Sequence, residues 1–160
     1  ARGELSLSES ELRGFAIFKD ERGDCFHCHS STAPEVFISP DRTFANNGLD
    51  TASSVFDFAD FGLGKFTGNT TDYGRFKIPT LRNLAFTAPY MHDARFATLD
   101  EVIDFYNAGP KGSPTLEPIM REKANKRLET LGHWGLDLSP QQKQDLKAFL
   151  LTLSDSSYVQ

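Results

Sequence analysis

The 160-residue chain has only two cysteines and two methionines, and a single tryptophan. Two cysteines leave no second pair, and a structural zinc site is usually closed by two separated pairs arranged tetrahedrally. No apolar run approaches the ~18 residues a transmembrane helix needs, so no membrane span is expected. Clustered basic charge is missing as well. Seventeen Lys and Arg stand against 22 Asp and Glu, for a net charge of −5, which argues against nucleic acid as a partner because phosphate recognition depends on concentrated positive charge. Strand signals are weak throughout, and no βαβ alternation surrounds the cysteines. A thioredoxin-like redox pair belongs near such a pattern, so that reading is set aside.

What the sequence does contain is Cys25-Phe26-His27-Cys28-His29. This includes C-x-x-C-H, the attachment pattern of a covalent haem c. Two thiols three positions apart can add to the two vinyl groups on one edge of the macrocycle. The following histidine is then held beneath the iron, where a ring nitrogen binds it. Cys25 and Cys28 are therefore the expected attachment points and His29 the expected proximal iron ligand. His27 reads as a spacer. With both cysteines assigned, none remains for a disulfide. Attachment of this kind takes place outside the cytoplasm, so we expect a periplasmic or otherwise exported chain whose targeting segment has been removed.

The length suits one cytochrome c-type haem domain over residues 1–160, and a chain of this size buries about 70% of its unfolded surface. Fourteen phenylalanines suit either an apolar cofactor pocket or an ordinary core. Ser8 and Glu11 fit a capping box that opens a first helix, with Leu12, Phe15, Ala16 and Phe18 as its apolar face. Residues 30–80 read mostly as loop, punctuated by Pro34, Pro40 and Asn46-Asn47-Gly48. Wrapping a large rigid cofactor would account for so long a loop. The stretch Gly62 to Gly68 lacks the G-K-[ST] ending of a phosphate loop and is expected to be a flexible connection. Thr98 and Glu101 open a second helix, a polar third helix covers Glu117 to Leu131, and Ser139-Pro140 with Gln142 opens the last. Its stripe of Leu146, Phe149, Leu150 and Leu153 should pack on the first helix. The expected fold is mainly α, a cytochrome c-like helical domain wrapped around one haem c with long loops.

The second axial position decides between electron transfer, which favours six-coordinate iron, and peroxide or oxygen chemistry, which needs a vacancy. Candidates from the residues alone are Met91, His92, Tyr106, Met120 and His133. Met91 comes first on composition, since methionine is the usual partner in electron-transfer cytochromes c. His92, beside Asp93 and Arg95, equally suits a polar residue that orients a loop or bonds a haem propionate.

Three blocks change that ranking. Arg75-Phe76-Lys77-Ile78-Pro79-Thr80-Leu81-Arg82-Asn83, Thr87-Ala88-Pro89-Tyr90-Met91-His92-Asp93, and Thr98-Leu99 leading to Asp104-Phe105-Tyr106 resemble the C-terminal haem domain of bacterial dihaem cytochrome c peroxidases and MauG-type enzymes. The resemblance runs from the Ser8 helix to the closing helix. It implies a distal ligand fourteen positions beyond the histidine of P-Y-x-H-D, methionine in many peroxidases and tyrosine in MauG-type enzymes. Counting from His92, that position is Tyr106. Met91, the alternative ligand, falls where the family often has phenylalanine, which implies packing. The resemblance also implies calcium bound through main-chain carbonyls of Thr87 and Pro89, with its other ligands from a second domain. Arg82 and Lys77 are propionate partners by charge.

The sequence holds one C-x-x-C-H where the dihaem enzymes have two. In those enzymes peroxide reacts at the N-terminal haem, and the domain resembling this chain passes or stores electrons. The leading expectation is thus periplasmic single-electron transfer with a redox partner protein. The alternative is peroxide reduction, alone or with a second haem domain or subunit.

Overall fold

A computed structural model describes residues 6–29, 44–155 and 157. The elements run α1 (Glu9–Lys19), β1 (Phe44–Ala45), α2 (Gly64–Thr67), β2 (Phe76–Lys77), α3 (Leu99–Ala108), α4 (Pro118–Leu131) and α5 (Pro140–Leu151). Helix starts are set locally. Reciprocal side-chain and backbone bonds join Ser8 to Glu11, Thr98 to Glu101 and Ser139 to Gln142, each closing a capping box. Such caps contribute about 1 kcal/mol apiece by satisfying N–H groups that a helix end leaves open. Helix α4 begins instead with proline at its first position and ends at Gly132 in a left-handed conformation, as expected of an N-terminal proline and a C-terminal glycine.

Helices α1 and α5 form the centre of the molecule. Gly14 lies where a Cβ would sit 1.9 Å from the Asp145 carbonyl oxygen and 2.8 Å from Phe149 Cβ, so only hydrogen fits. Backbones therefore approach closely, and Phe149 packs against Phe15 and Phe18 with ring centroids 5.1 and 5.3 Å away. This shifts the buried face of α1. Gly14, Ile17 and Phe18 are inside, whereas the expected face residues Leu12 and Ala16 are exposed and Phe15 is half-buried. The apolar stripe of α5 behaves as expected: Leu146, Phe149 and Leu150 are buried and Leu153 packs against the same cluster. Leu99 and Ile103 bring α3 to that core, and Leu84, Leu138 and Tyr90 complete it.

The α1–α5 contact also holds a buried charge. Asp145, 2% exposed, accepts from Arg13 Nε at 2.8 Å, Ser10 Oγ at 2.6 Å and Gln141 Nε2 at 3.1 Å. A carboxylate removed from water survives only when its lone pairs are filled this way. The Arg13 hydrogen bond, then that from Ser10, holds the Asp145 carboxyl well below the usual carboxylate range.

Between Phe44 and Thr80 the chain is largely irregular, with two departures from expectation. Phe44–Ala45 and Phe76–Lys77 pair as a short antiparallel ribbon, Phe44 opposite Lys77 and Ala45 opposite Phe76. The stretch expected to be a flexible connection, residues 62–68, instead contains the helical turn α2. The Leu63 N–H donates to Arg75 O at 2.8 Å, the Gly74 N–H to Phe61 O at 3.0 Å, and Tyr73 stacks on Phe61 at 4.5 Å. Those contacts come from residues about ten positions further on, which local composition does not reveal. The expected loop over residues 30–43 lies outside the described residues.

The phenylalanines divide between roles. Phe18 and Phe58 are buried, while Phe56, Phe66 and Phe86 are exposed.

In chemical denaturation, Phe149→Ala should cost about 3–5 kcal/mol through the cavity it leaves. Gly14→Ala should cost about 1–3 kcal/mol by forcing the two helices apart. Because folding lowers the Asp145 pKa, its contribution is complete above the unfolded value of about 3.9 and is lost as pH falls further. The unfolding midpoint should therefore drop on acidification below about pH 4, and this drop should be smaller in Asp145→Asn.

Candidate haem centre

Helix α1 leads directly into the C-x-x-C-H segment. The Asp20 carboxylate accepts from the Arg22 N–H at 2.7 Å, and the Asp24 N–H donates to Asp20 O at 3.0 Å, turning the chain off the helix end. Asp24 is left-handed with φ 59°. Cys25 to His27 then form one 3₁₀ turn, with the Cys28 and His29 N–H groups both donating to Cys25 O, at 3.3 and 2.9 Å. The turn gathers both thiols and the His29 backbone around a single carbonyl. Cys25 and Cys28 remain thiols rather than a disulfide, and both are half-buried. Burial pushes the Cys25 thiol up to about 12, with the negative charge of Asp24 as the next cause.

Tyr106 and Met91, the two leading distal candidates, meet at one residue that sequence reasoning missed. The Asn47 carboxamide donates to the Tyr106 hydroxyl at 3.2 Å and to the Met91 sulfur at 3.7 Å. Burial drives the Tyr106 phenol up to about 12. The Asn47 hydrogen bond opposes that shift, while the charges of Cys28 and Cys25 add to it. Only the Asn46-Asn47-Gly48 turn pattern could have drawn attention to Asn47, and it said nothing of where that side chain goes.

Both sides of this meeting point are held firmly. Asn46, 3% exposed, donates to Ser113 Oγ and Thr115 Oγ1, each at 3.0 Å, and accepts from the Gly48 N–H at 2.9 Å. The Lys111 N–H donates to Gly48 O at 2.7 Å, and the Glu117 N–H to Asn46 O at 2.9 Å. Gly48 adopts φ +71°, and an added Cβ would lie 2.6 Å from Pro110 Cβ. Across from this turn, Tyr90 and Phe96 close a short bridge and the Tyr90 hydroxyl donates to Leu84 O at 2.6 Å. Arg95 joins the two segments, pairing with Asp93 at 2.7 Å and with Asp50 at 3.0 Å. That pairing holds the Asp93 carboxyl below its ordinary value. Met91 has φ +73°, a conformation costing a bulky residue of order 1–3 kcal/mol and kept only where its surroundings enforce it.

The remaining expected residues are dispersed. His92 is exposed and lies flat on Phe76, ring centroids 3.5 Å apart and 11° from parallel, so it packs the P-Y-x-H-D segment onto the β-ribbon. Arg82 is exposed, its backbone N–H donating to Thr80 Oγ1 at 3.2 Å. Lys77 lines an open groove of about 410 Å³ with Lys65, Arg75 and Phe66. Thr87 and Pro89 flank Ala88 on an exposed loop. Met120 is half-buried on α4, and His133 is exposed beyond it.

His27, expected as a spacer, lies beside two carboxylates. Its Nε2 lies 3.2 Å from Asp24 Oδ1 and 3.7 Å from Glu21 Oε1. Glu21 pairs with Lys123, and Asp24 with Arg127 at 3.4 Å. The ligand atoms of Glu21, Asp24 and His27 lie within 4.8 Å of one another, but the two basic side chains of α4 already supply the compensating charge. The network ties the haem-motif turn to α4.

Two thiols on one turn with a histidine directly after them, and a phenol and a thioether brought together by Asn47, are the donor types that fit a thioether-linked haem. No helix among the described residues is long and apolar enough to cross a membrane.

No family-level model matches the sequence. Cytochrome-c peroxidase IdrP1 of Pseudomonas sp. strain SCT is 31% identical over 176 residues, covering 94% of this chain and 41% of that protein. The methylamine utilization protein MauG of Methylorubrum extorquens is 32% identical over 152 residues, covering 94% of this chain and 36% of the relative. Among solved structures, a MauG-like protein associated with microbial copper homeostasis matches with TM-score 0.70 and 37% identity, over 97% of this chain and 50% of that one. The diheme peroxidase BthA of Burkholderia thailandensis, 24% identical with TM-score 0.66 over 97% of this chain and 45% of its own, shares the fold. The chain therefore spans less than half the length of these curated relatives. Sequence similarity along nearly the whole chain, a shared fold and a fitting donor set make this protein a member of the dihaem cytochrome c peroxidase and MauG family.

Proposed function

We propose that this chain is a single cytochrome c-type domain, corresponding to the C-terminal haem domain of its relatives, that passes single electrons in the periplasm. Cys25 and Cys28 would carry the haem c, and His29 and Tyr106 would supply the two protein ligands to its iron. A haem bound by these residues would supply one-electron chemistry, with the redox partner protein giving or taking the electron. The observation that carries this reading is the Tyr106 phenol, held at 3.2 Å by the same Asn47 carboxamide that reaches the Met91 sulfur. Two protein ligands would leave the iron no vacancy, which favours electron transfer over peroxide binding. Arg82 and Lys77 supply positive charge for the propionates. Thr87 and Pro89 offer carbonyls to a calcium ion whose other ligands come from a second haem domain or subunit. The electron donor or acceptor is a redox partner protein.

A second reading is peroxide reduction at this haem, alone or with a further haem subunit. It is favoured by the relatives named as cytochrome-c peroxidases. Purified haem-loaded protein separates the two. A low-spin haem inert to peroxide and cyanide supports electron transfer, and prompt turnover with a reduced donor supports the second reading.

Anionic oxygen favours ferric iron, whereas thioether sulfur favours ferrous iron and raises the potential. Axial ligands spread haem potentials over ~0.8 V. Tyr106→Phe should therefore raise the midpoint potential by at least about 0.1 V, roughly fiftyfold in the one-electron equilibrium, read by spectroelectrochemistry. A methionine–iron charge-transfer band present in the wild type and surviving in Tyr106→Phe would rule out the tyrosine assignment.

Haem attachment requires accessible chemistry at both sulfurs. In haem-free protein, burial raises the Cys25 thiol and so depletes the thiolate that reacts at neutral pH. Iodoacetamide should thus modify Cys25 far more slowly than a free cysteine, as mass spectrometry of the alkylated peptide would show.

A further inference from the structure

Asn47 belongs to none of the motif blocks, yet its side chain is the only group bonded to both distal candidates among the described residues. A carboxamide NH₂ carries two N–H donors. One is directed at the Tyr106 oxygen, 3.2 Å away, and the other at the Met91 sulfur, 3.7 Å away. The two bonds are unequal, since a phenol oxygen is a good acceptor and a thioether a weak one. Asn47 is also unusually well placed to impose that preference. The backbone before it is fixed through buried Asn46 to Ser113, Thr115 and Glu117, and the backbone after it through Gly48 to Lys111. The Met91 side is fixed in turn by the Asp50–Arg95–Asp93 bridge.

We propose that Asn47 is the positioning residue of the distal side, holding the Tyr106 oxygen where an axial ligand must stand and restraining the Met91 sulfur from taking its place. The inference rests on the reading of Tyr106 as distal ligand. Asn47 itself touches no iron. It acts through the ligands, as groups surrounding a metal site commonly orient the atoms that bind it. Without its two N–H donors, the phenol loses the hydrogen bond from Asn47 and the sulfur loses its restraint. The softer donor then competes for the iron.

The test uses the haem-loaded full chain as wild type, Asn47→Leu and Asn47→Asp, the last keeping the shape of the side chain without its N–H groups. Optical, near-infrared and paramagnetic-resonance spectra of the ferric proteins report the ligand, and a titration gives the midpoint potential. The wild type should show a phenolate-ligated ferric haem. Asn47→Leu should develop the thioether charge-transfer band, with the ratio of thioether to phenolate ligation rising at least tenfold. The midpoint should rise as thioether replaces phenolate, and a rise of about 59 mV would be a tenfold change in the one-electron equilibrium. Asn47→Asp should move in the same direction, which covers failure of the leucine variant to fold. Adding Met91→Leu to Asn47→Leu should abolish the thioether band, because the competitor is gone.

If the wild type is phenolate-ligated and neither Asn47 variant changes spectrum or potential, the inference fails while the reading of Tyr106 stands. The same holds if the new band persists after Met91→Leu. A wild type that is already thioether-ligated, or lacks a sixth ligand, overturns both together.

Discussion

The close approach of α1 and α5 is the constraint on which the rest of the structure depends. At Gly14 the two helices meet with no room for a side chain, and Asp145 is locked there by Arg13, Ser10 and Gln141. Helix α1 then ends at Asp20 and delivers Cys25 five residues later. Helix α3, which carries Tyr106, packs its Leu99 and Ile103 into the same core. The relative positions of the C-x-x-C-H turn and Tyr106 therefore follow from how two other helices seat against α5. A rigid cofactor demands this, because its attachment edge and its axial ligands have to be set independently of one another.

A second layer of fixation is polar. The turn bearing Asn47 is held by hydrogen bonds to the segment before α4, and the loop bearing Met91 is joined to it through Arg95. On the opposite side, His27, Glu21 and Asp24 connect the cysteine turn to Lys123 and Arg127 of α4. Helix α4, the most polar of the five, contributes little to the apolar core. Its task is electrostatic: it compensates acidic groups that burial would otherwise destabilise, Asp24 among them, whose carboxyl is raised by desolvation despite its basic neighbour. Helical regularity is thus confined to segments that bear load, and the irregular stretches between them are shaped by side-chain hydrogen bonds.

The unequal pairing at Asn47 bears on how a chain that offers both a phenol and a thioether would choose between them. Oxygen and sulfur donors are both within reach of one amide in this chain. A choice of ligand of this sort need not reside in the ligand residue alone. It depends also on which neighbour restrains the competitor, a role that leaves no mark on the motif blocks.

What the sequence determined unaided is whatever local spacing controls. The C-x-x-C-H turn, the three capping boxes, the proline that opens α5, and the apolar stripe of α5 are all fixed by residues within a few positions of each other, so a linear reading finds them. The buried face of α1 was only half legible. Periodicity marked an apolar side, but the residue that sets the contact is a glycine, which no hydrophobic pattern registers. The turn at α2, the ribbon of Phe44–Ala45 with Phe76–Lys77, the His27 network and the convergence on Asn47 were decided by the tertiary structure alone. Asn47 reaches partners 44 and 59 positions away, and His27 is linked to basic residues about a hundred positions on. Side chains so far apart in sequence share no local energetic signature. They are neighbours only because the helices and the buried charges between them leave the chain one way to close.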